Sequence, residues 1–417
     1  MPANDSSHTP QHHSARWARG ALLLLTALNL FNYIDRSVLF AVQPLVQAEF
    51  RRSDAEFGFL TSAFFFVYMF TAPFIGVMAD RWPRRGIMAA GALVWSAATL
   101  LTAVTHNFQD LLIRHTIVGI GEASFVTIAP AFLSDMFPEH RRARVLSIFY
   151  LAIPVGTAIG YLMGGYIGHH YGWRAPFLVG AIPGFVLAFG LFLIPEPQRG
   201  ASDHLAHSFE RDSLKGLTRN GAFWTASLGM AMMTFAVGGM QVWMPTFLSR
   251  VRDVPLNTAN QIFGGMTLVS GIFATLLGGW LGDRYLRRHR GAYYLVSGIG
   301  MALALPAILV AVFFTGWPMY PAIFVGEFFL LLNTAPLNAA LVNSVSAKIR
   351  ATAVAVNLFT IHLLGDAFSP TLMGYISDKS NLQMAFVAAS MAVALSAIVL
   401  FLGMRFAPEI PAGDRQG

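Results

Sequence analysis

The chain has 417 residues, 55% of them hydrophobic and 12% charged, with a mean hydropathy of +0.56. Soluble globular proteins carry about 25% charged residues, so the composition excludes a soluble protein and points to a polytopic membrane protein. The absence of cysteine excludes disulfides and thiolate metal sites, and the net charge of +7 has to be tested against membrane topology before nucleic acid is invoked.

In chain order, residues 1–17 are polar and lack the apolar core of a signal peptide. They are read as a cytoplasmic tail. Twelve apolar segments follow, at roughly 18–46, 55–79, 86–105, 109–136, 143–168, 174–194, 219–249, 258–282, 291–314, 319–345, 350–376 and 381–406. Each is expected to be a helix, because a spanning segment must satisfy its backbone internally. The polar stretch 195–218 reads as a cytoplasmic linker between two six-helix bundles, 18–194 and 219–406, with a second tail at 407–417. With the N-terminus inside, 20 of the 28 Lys and Arg fall in inner segments and 6 in outer loops. Arg36 and Arg114 lie within spans. This bias places both termini in the cytoplasm. It also accounts for the net charge, so no nucleic-acid partner is expected.

The two halves repeat each other. Gly76-Val-Met-Ala-Asp80-Arg81-Trp-Pro-Arg84-Arg85 and Gly279-Trp-Leu-Gly-Asp283-Arg284-Tyr-Leu-Arg287-Arg288 share the pattern G-x-x-x-D-R-x-x-R-R, their aspartates 203 residues apart. A second echo pairs Gly121-Glu122 and Ala129-Pro130 with Gly326-Glu327 and Ala335-Pro336, and an arginine follows each proline by 14 residues. Duplicated halves are the architecture of many secondary transporters. The glycine lets helices approach closely, and the charged residues can form a latch between halves when the inner gate is shut. One copy of the motif would be explained as a basic inner loop with a helix-terminal aspartate; two at matching places are not.

The repeated motif resembles the signature loop of the major facilitator superfamily. That resemblance implies an all-α membrane protein of twelve transmembrane helices in two pseudo-symmetric six-helix bundles, working by alternating access. It also implies a gating latch at Gly76, Asp80, Arg81 and Arg85 in one half and at Asp283, Arg284 and Arg288 in the other. The run Gly156-Thr-Ala-Ile-Gly160-Tyr-Leu-Met-Gly164-Gly165 is similar to the superfamily's glycine-rich fifth-helix motif. Two further stretches are Asn32-Tyr33-Ile34-Asp35-Arg36 and Gly119-Ile-Gly-Glu122-Ala-Ser-Phe-Val-Thr-Ile-Ala-Pro130, the latter followed by Ser147-Ile-Phe-Tyr150-Leu-Ala-Ile-Pro154-Val-Gly156. Together they resemble the Spinster family, whose members move sphingolipids and lysophospholipids.

Ionisable residues inside spans are costly and default to functional candidates. Asn29, Asn32, Tyr33 and Arg36 fall at i, i+3, i+4 and i+7, a polar stripe on the first helix that is expected to line the cavity and bind substrate. Asp35 lies about 100° around the helix from Arg36, so the two need not face the same space. Arg114, His115 and Glu122 lie in the fourth segment, and Arg114 and Glu122, eight residues apart, fall near one face. Asp35 and Glu122 are the candidate proton carriers. Arg36 and Arg114 are candidates to alternate between these carboxylates and an anionic headgroup. The bland alternative is a static ion-pair cluster that fixes helix packing.

In the second half Glu327 echoes Glu122, and His362 and Asp366 share a helical face; Glu327 and His362 are further candidates to bind substrate. The His362–Asp366 pair is read either as a titrating site or as a locally satisfied one. No partner for Arg114 is evident there. The runs Phe64-Phe65-Phe66 and Phe328-Phe329 and the methionines of the seventh segment read mainly as core and lipid-facing surface, with Met230, Thr234, Met240 and Trp243 as candidates to line an apolar cavity.

No H-E-x-x-H, G-x-S-x-G or phosphate-binding loop is present, so an enzyme is not expected. No cofactor is expected either. A channel would explain neither the duplicated latch nor the way segments one and four, running in opposite directions, bring their buried charges toward one depth. The resulting expectation is a monomeric, proton-coupled carrier in a plasma membrane (a bacterial inner membrane), surrounded by membrane lipids and moving a lysophospholipid or sphingoid amphipath. The alternative is a proton- or ion-coupled symporter of small organic anions.

Overall fold

A computed structural model describes residues 15–137, 139–197, 216–345 and 349–408, and of residues 15, 139, 140, 142, 143 and 350–352 the backbone alone. Most of the expected tails and of the linker therefore lies outside the described residues. Within them are twelve helices long and apolar enough to cross a membrane. In chain order they are α1 (Arg16–Phe50), α2 (Asp54–Arg81), α3 (Arg84–Thr102), α4 (Phe108–Met136), α5 (Arg144–Tyr171), α6 (Ala175–Leu193), α7 (Gly221–Val251), α8 (Leu256–Leu286), α9 (Ala292–Phe313), α10 (Met319–Asn343), α11 (Ala353–Lys379) and α12 (Leu382–Phe406).

Local chemistry fixes where several of them start. Ser53 and Glu56 form a capping box at α2. Asn107, Asn220 and Asn381 each cap a helix through a side-chain oxygen that accepts a backbone N–H. Helix α1 runs past its expected end at 46 to Phe50, because the polar side chains of its last turn find partners: Gln47 binds Asp54, and Glu49 binds Arg174.

Three spans are interrupted. In α4 the helix stops after Val126 and restarts at Ala129, with Pro130 in its first turn, and α10 breaks in the same way between Leu331 and Thr334, just before Pro336. Proline has no N–H to donate and its ring crowds the preceding turn. The second sequence echo is thus a matched pair of helix breaks. In α11 a π-turn spans His362–Asp366, with Gly365 at φ −107° and ψ −109°.

The glycine run of α5 lies against α1. A Cβ at Gly156 would stand 2.6 Å from the Leu30 carbonyl oxygen, and one at Gly160 2.6 Å from Ser37 Cβ, so larger residues would push the two helices apart. Contacts between halves run mainly along α2–α11 and α5–α8. At the distal end, remote from the start of α1 and the finish of α12, they are polar and dense. Arg250 donates to both oxygens of Asp54 at 2.8 and 2.7 Å and to Gln47 at 3.0 Å, and Ser377 Oγ donates to Asp54 at 2.5 Å. Asp378 of α11 accepts the Asp54 and Ala55 amides, both at 2.9 Å, and so caps α2 from the opposite half. Deeper in, Asn260 donates to the Ala41 carbonyl at 3.0 Å and Thr371 to Ser62 at 2.7 Å.

Candidate functional site

The stripe on α1 meets α4 and α2 at mid-height. Arg36 Nε donates to Glu122 Oε2 at 2.5 Å, and Glu122 is fully buried. The guanidinium carbon lies 5.1, 4.9 and 5.1 Å from the ring centres of Tyr33, Phe64 and Tyr68, and 5.9 Å from that of Phe65. Aromatic faces attract a cation that has lost its water, so this cage keeps Arg36 charged in an apolar setting. Asn32, wholly buried, stands beside the Glu122 carboxyl. Among the described residues Arg36 Nη2 and Glu122 Oε1 make no hydrogen bond of ordinary geometry, leaving an amino group and a carboxyl oxygen for a ligand.

The second half reaches the same cage. His362 lies against Phe65, with ring centres 6.2 Å apart and planes at 20°, and edge-on to Tyr68 at 5.6 Å. Its Nδ1 is 2.9 Å from Asp366, and the π-turn brings the two together. On the α4 side His115 stacks on Phe64 at 5.1 Å. A continuous string of rings therefore joins α4, α2 and α11 around Arg36. Sequence reasoning read Phe64 and Phe65 as core or lipid-facing surface. The usable signal was Tyr68, one turn further along α2, which places an aromatic strip opposite the polar stripe.

Other expected site residues stand apart from this centre. Asp35 turns to a different face of α1 and accepts a hydrogen bond from Thr99 at 3.1 Å. Asn29 donates to the Phe149 carbonyl at 3.0 Å, a packing bond between α1 and α5. The expectation that Arg114 shares a site with Glu122 is not met. Two turns along α4 carry Arg114 to the distal rim, where it pairs with Asp110 at 2.7 Å and donates to the Leu101 carbonyl and to Thr105. That rim is extended by Arg174, which donates to Glu49 and to the Thr105 carbonyl.

Glu327 accepts from Thr267 at 2.7 Å and pairs with no cation among the described residues. It lines a small cavity of about 40 Å³ inside the second bundle, walled by Met240, Phe263 and Ile308 among others, and is separate from Arg36. Of the methionines and aromatics considered for a wide cavity, Met240 borders this small one. Trp243 is buried and donates to the Pro370 carbonyl.

The repeated loops make bonds inside their own halves. Arg84, buried, pairs with Asp135 at 2.6 Å and Glu196 at 3.3 Å. Glu196 also accepts the Arg84 and Arg85 amides at 3.0 Å each, capping α3, and Arg85 reaches the Ile194 carbonyl. Asp283 accepts from Tyr293 at 2.9 Å, and Arg284 lies over Trp280. Asp80, Arg81 and Arg288 are exposed. Gly76 was expected to let two helices touch, but a Cβ there would meet nothing within 4 Å, because that stretch of α2 is unpacked in this conformation. Arg84 was absent from the expected latch, yet it is the best-anchored arginine of the first loop.

Comparison with known proteins accords with this architecture. The profile of the Major Facilitator Superfamily matches residues 25–365. Protein spinster homolog 3 of Danio rerio is 36% identical over 402 residues, 91% of this chain and 80% of the relative. The sphingosine-1-phosphate transporter SPNS2 of Mus musculus is 34% identical over 417 residues, 92% of this chain and 75% of the relative. Among solved structures, a bacterial homolog of the human lysosomal transporter Spinster, inward-facing and unoccupied, superposes with a TM-score of 0.86 at 24% identity, covering 96% of this chain and all of that one. A D-xylose–proton symporter gives 0.76 at 17% identity over 94% of this chain and 98% of that one. The structural likenesses establish the fold, and the sequence relatives establish a multi-pass membrane transporter of a small molecule rather than an enzyme. The chain belongs to the Spinster family of the major facilitator superfamily.

Proposed function

We propose that this transporter couples proton movement to the alternating-access transport of an amphipathic, lipid-like substrate with an anionic headgroup, of the lysophospholipid or sphingoid type. The observation that carries the reading is the Arg36–Glu122 pair inside its aromatic cage, with Arg36 Nη2 and Glu122 Oε1 unused among the described residues. A buried arginine released by its carboxylate is a strong bidentate partner for phosphate. Protonating Glu122 removes its hold on Arg36 and frees the guanidinium for the headgroup; losing that proton reverses the exchange. The surrounding rings suit the apolar part of the same ligand. A transporter named for sphingosine-1-phosphate among the relatives agrees with this class.

The distal end is the outer one in this reading, as the loop arginines imply, and both termini lie in the cytoplasm. The Asp54 clamp then holds the outer gate closed, so the conformer faces inward. The repeated loops form their inter-half contacts only in the opposite state. The protein works as a monomer in a plasma membrane, bacterial inner membrane included.

Uptake of a labelled lysophospholipid into proteoliposomes under an imposed pH gradient tests the proposal. Asp35→Asn and Glu122→Gln are each expected to abolish gradient-driven accumulation while the folded protein persists. Full proton-driven transport in both variants refutes the coupling. Displacement of the lysolipid by small carboxylates at comparable concentration would instead favour an organic-anion symporter.

A further inference from the structure

Asp35 sits in surroundings of its own. Neighbouring residues on a helix diverge by about 100°, and here that divergence separates two environments. Arg36 faces α2 and α4, whereas Asp35 faces α3 and α6. Its carboxyl is almost fully buried, and so is the Thr99 hydroxyl that donates to Oδ2 at 3.1 Å. Opposite stands Gly180, where an added Cβ would lie 2.9 Å from Oδ1 and 3.6 Å from the Met163 methyl of α5. One turn along, Ser96 and Gly184 meet so closely that a Cβ on Gly184 would come within 2.2 Å of the serine oxygen. The α3–α6 seam is thus a strip of small residues, Ser96 and Thr99 against Gly180 and Gly184, that ends on the Asp35 carboxyl. Facing Asp35, α3 and α6 supply a hydroxyl and a glycine and α5 a methyl; the charge that bears on it is Glu122 on α4, and Arg36 is its neighbour in sequence on α1.

We propose that Thr99 and Gly180 form a dedicated carboxyl pocket for Asp35, on a different face of α1 from the Arg36–Glu122 pair, and that Thr99 is the positioning residue setting the pH at which Asp35 exchanges its proton. The significance for transport rests on the proton-coupling reading above. Within it, the two acids are separate stations. Glu122 competes directly with the headgroup for Arg36. Asp35 never touches the substrate and acts through α1, whose packing depends on whether the pocket holds a charge.

The chemistry sets the direction of the effect. A hydroxyl that donates to a carboxylate stabilises the ionised form. Thr99→Val keeps the volume and deletes the donor, so the proton is held to higher pH, by about one pH unit for a hydrogen bond to a charged group. Thr99→Ser keeps the donor and is expected to stay near the wild-type midpoint. Gly180→Ala crowds Oδ1 and is expected to move the midpoint with the hydroxyl intact. None of these residues contacts Arg36, so anionic lysolipid binding at a fixed, saturating pH should be unchanged.

The test is an infrared pH titration of the full-length protein in nanodiscs, following the protonated-carboxyl band that Asp35→Asn removes. An upward shift of about one unit in Thr99→Val, reversed in Thr99→Ser and accompanied by a shift in Gly180→Ala, supports the pocket. An unmoved band in correctly folded Thr99→Val overturns it, as does the lack of any Asp35-dependent band. If Thr99→Val does not fold, Thr99→Ala is read on the same criteria. The band needs no transport. Proton-driven uptake that survives Asp35→Asn therefore refutes the coupling role of Asp35 alone, and an unmoved band refutes the pocket alone.

Discussion

Asp54 at the start of α2 and Arg250 near the end of α7 are joined across the two halves by hydrogen bonds of 2.8 and 2.7 Å, with Asp54 nearly buried and Arg250 partly exposed. Asp54 also accepts from Gln47 and Ser377. Opening the distal end must break most of these bonds at once. Because Arg250 stays partly hydrated, the pair stabilises the closed end by less than a buried one, about 1–2 kcal/mol. Arg250→Ala is therefore expected to raise the open population roughly tenfold. The chain has no cysteine, so Thr61→Cys, buried below the clamp, reports opening directly. Its labelling by a membrane-impermeant maleimide should quicken by about that factor when Arg250→Ala is added. Equal labelling rates would show that the clamp does not hold the end closed.

Backbone proximity supplies a second, uncharged test of the same seam. A Cβ at Gly374 would lie 2.2 Å from the Asp54 carbonyl oxygen, and one at Gly58 2.3 Å from that of Pro370. Neither obstacle is a flexible side chain, so α2 and α11 would have to separate. Gly374→Ala should open the distal end as far as Arg250→Ala does, and unlike it should be insensitive to salt, because sterics are not screened. The same Thr61→Cys labelling, repeated at low and high ionic strength, distinguishes the two.

Arg36 and Glu122 illustrate why removing one partner of a buried pair is worse than removing both. Arg36→Ala strands a carboxylate in the bundle, a loss of about 3–5 kcal/mol. Adding Glu122→Gln to it should restore much of the thermal stability but none of the transport. Arg36→Lys keeps the charge and loses the planar fork and its fit to the rings. It is expected to stay folded with transport reduced at least tenfold, as an uptake assay and a melting curve on the same preparation will show.

The scaffold was legible because it is written in periodic, redundant signals. Twelve apolar segments and two copies of one ten-residue pattern require the same architecture. The matched breaks in α4 and α10 follow from Pro130 and Pro336. The centre was only half legible. Helical spacing placed Asn29, Asn32, Tyr33 and Arg36 on one stripe and separated Asp35 from them; Asp35 does turn away, and Tyr33 and Arg36 meet at the centre with Asn32, whereas Asn29 packs against α5. Spacing gives direction around an axis, however, and not which neighbour stands opposite. The choice of Arg36 rather than Arg114 as the partner of Glu122 depends on how α1 and α4 are offset in height. The His362 contact with Phe65 and Tyr68 depends on the seating of α11 against α2, which a π-turn alters. The Asp54 clamp escaped notice because its members lie at span ends, where charges are unremarkable.

Arg114 offers the sharpest separation between the sequence expectation and the geometry. At the distal rim it pairs with Asp110 and ties the end of α3 to the start of α4 through Leu101 and Thr105. If that is its whole role, Arg114→Gln should lower stability by about 1 kcal/mol, as expected for a partly exposed ion pair with backbone bonds. The apparent affinity for an anionic lysolipid should then stay within about twofold, equivalent to less than 0.5 kcal/mol. Arg36→Gln should do the opposite to binding, weakening it by tenfold or more for the loss of a charge-assisted contact. Measuring both variants by lysolipid binding and by thermal denaturation places each arginine, and a tenfold affinity loss in Arg114→Gln would return it to the substrate path.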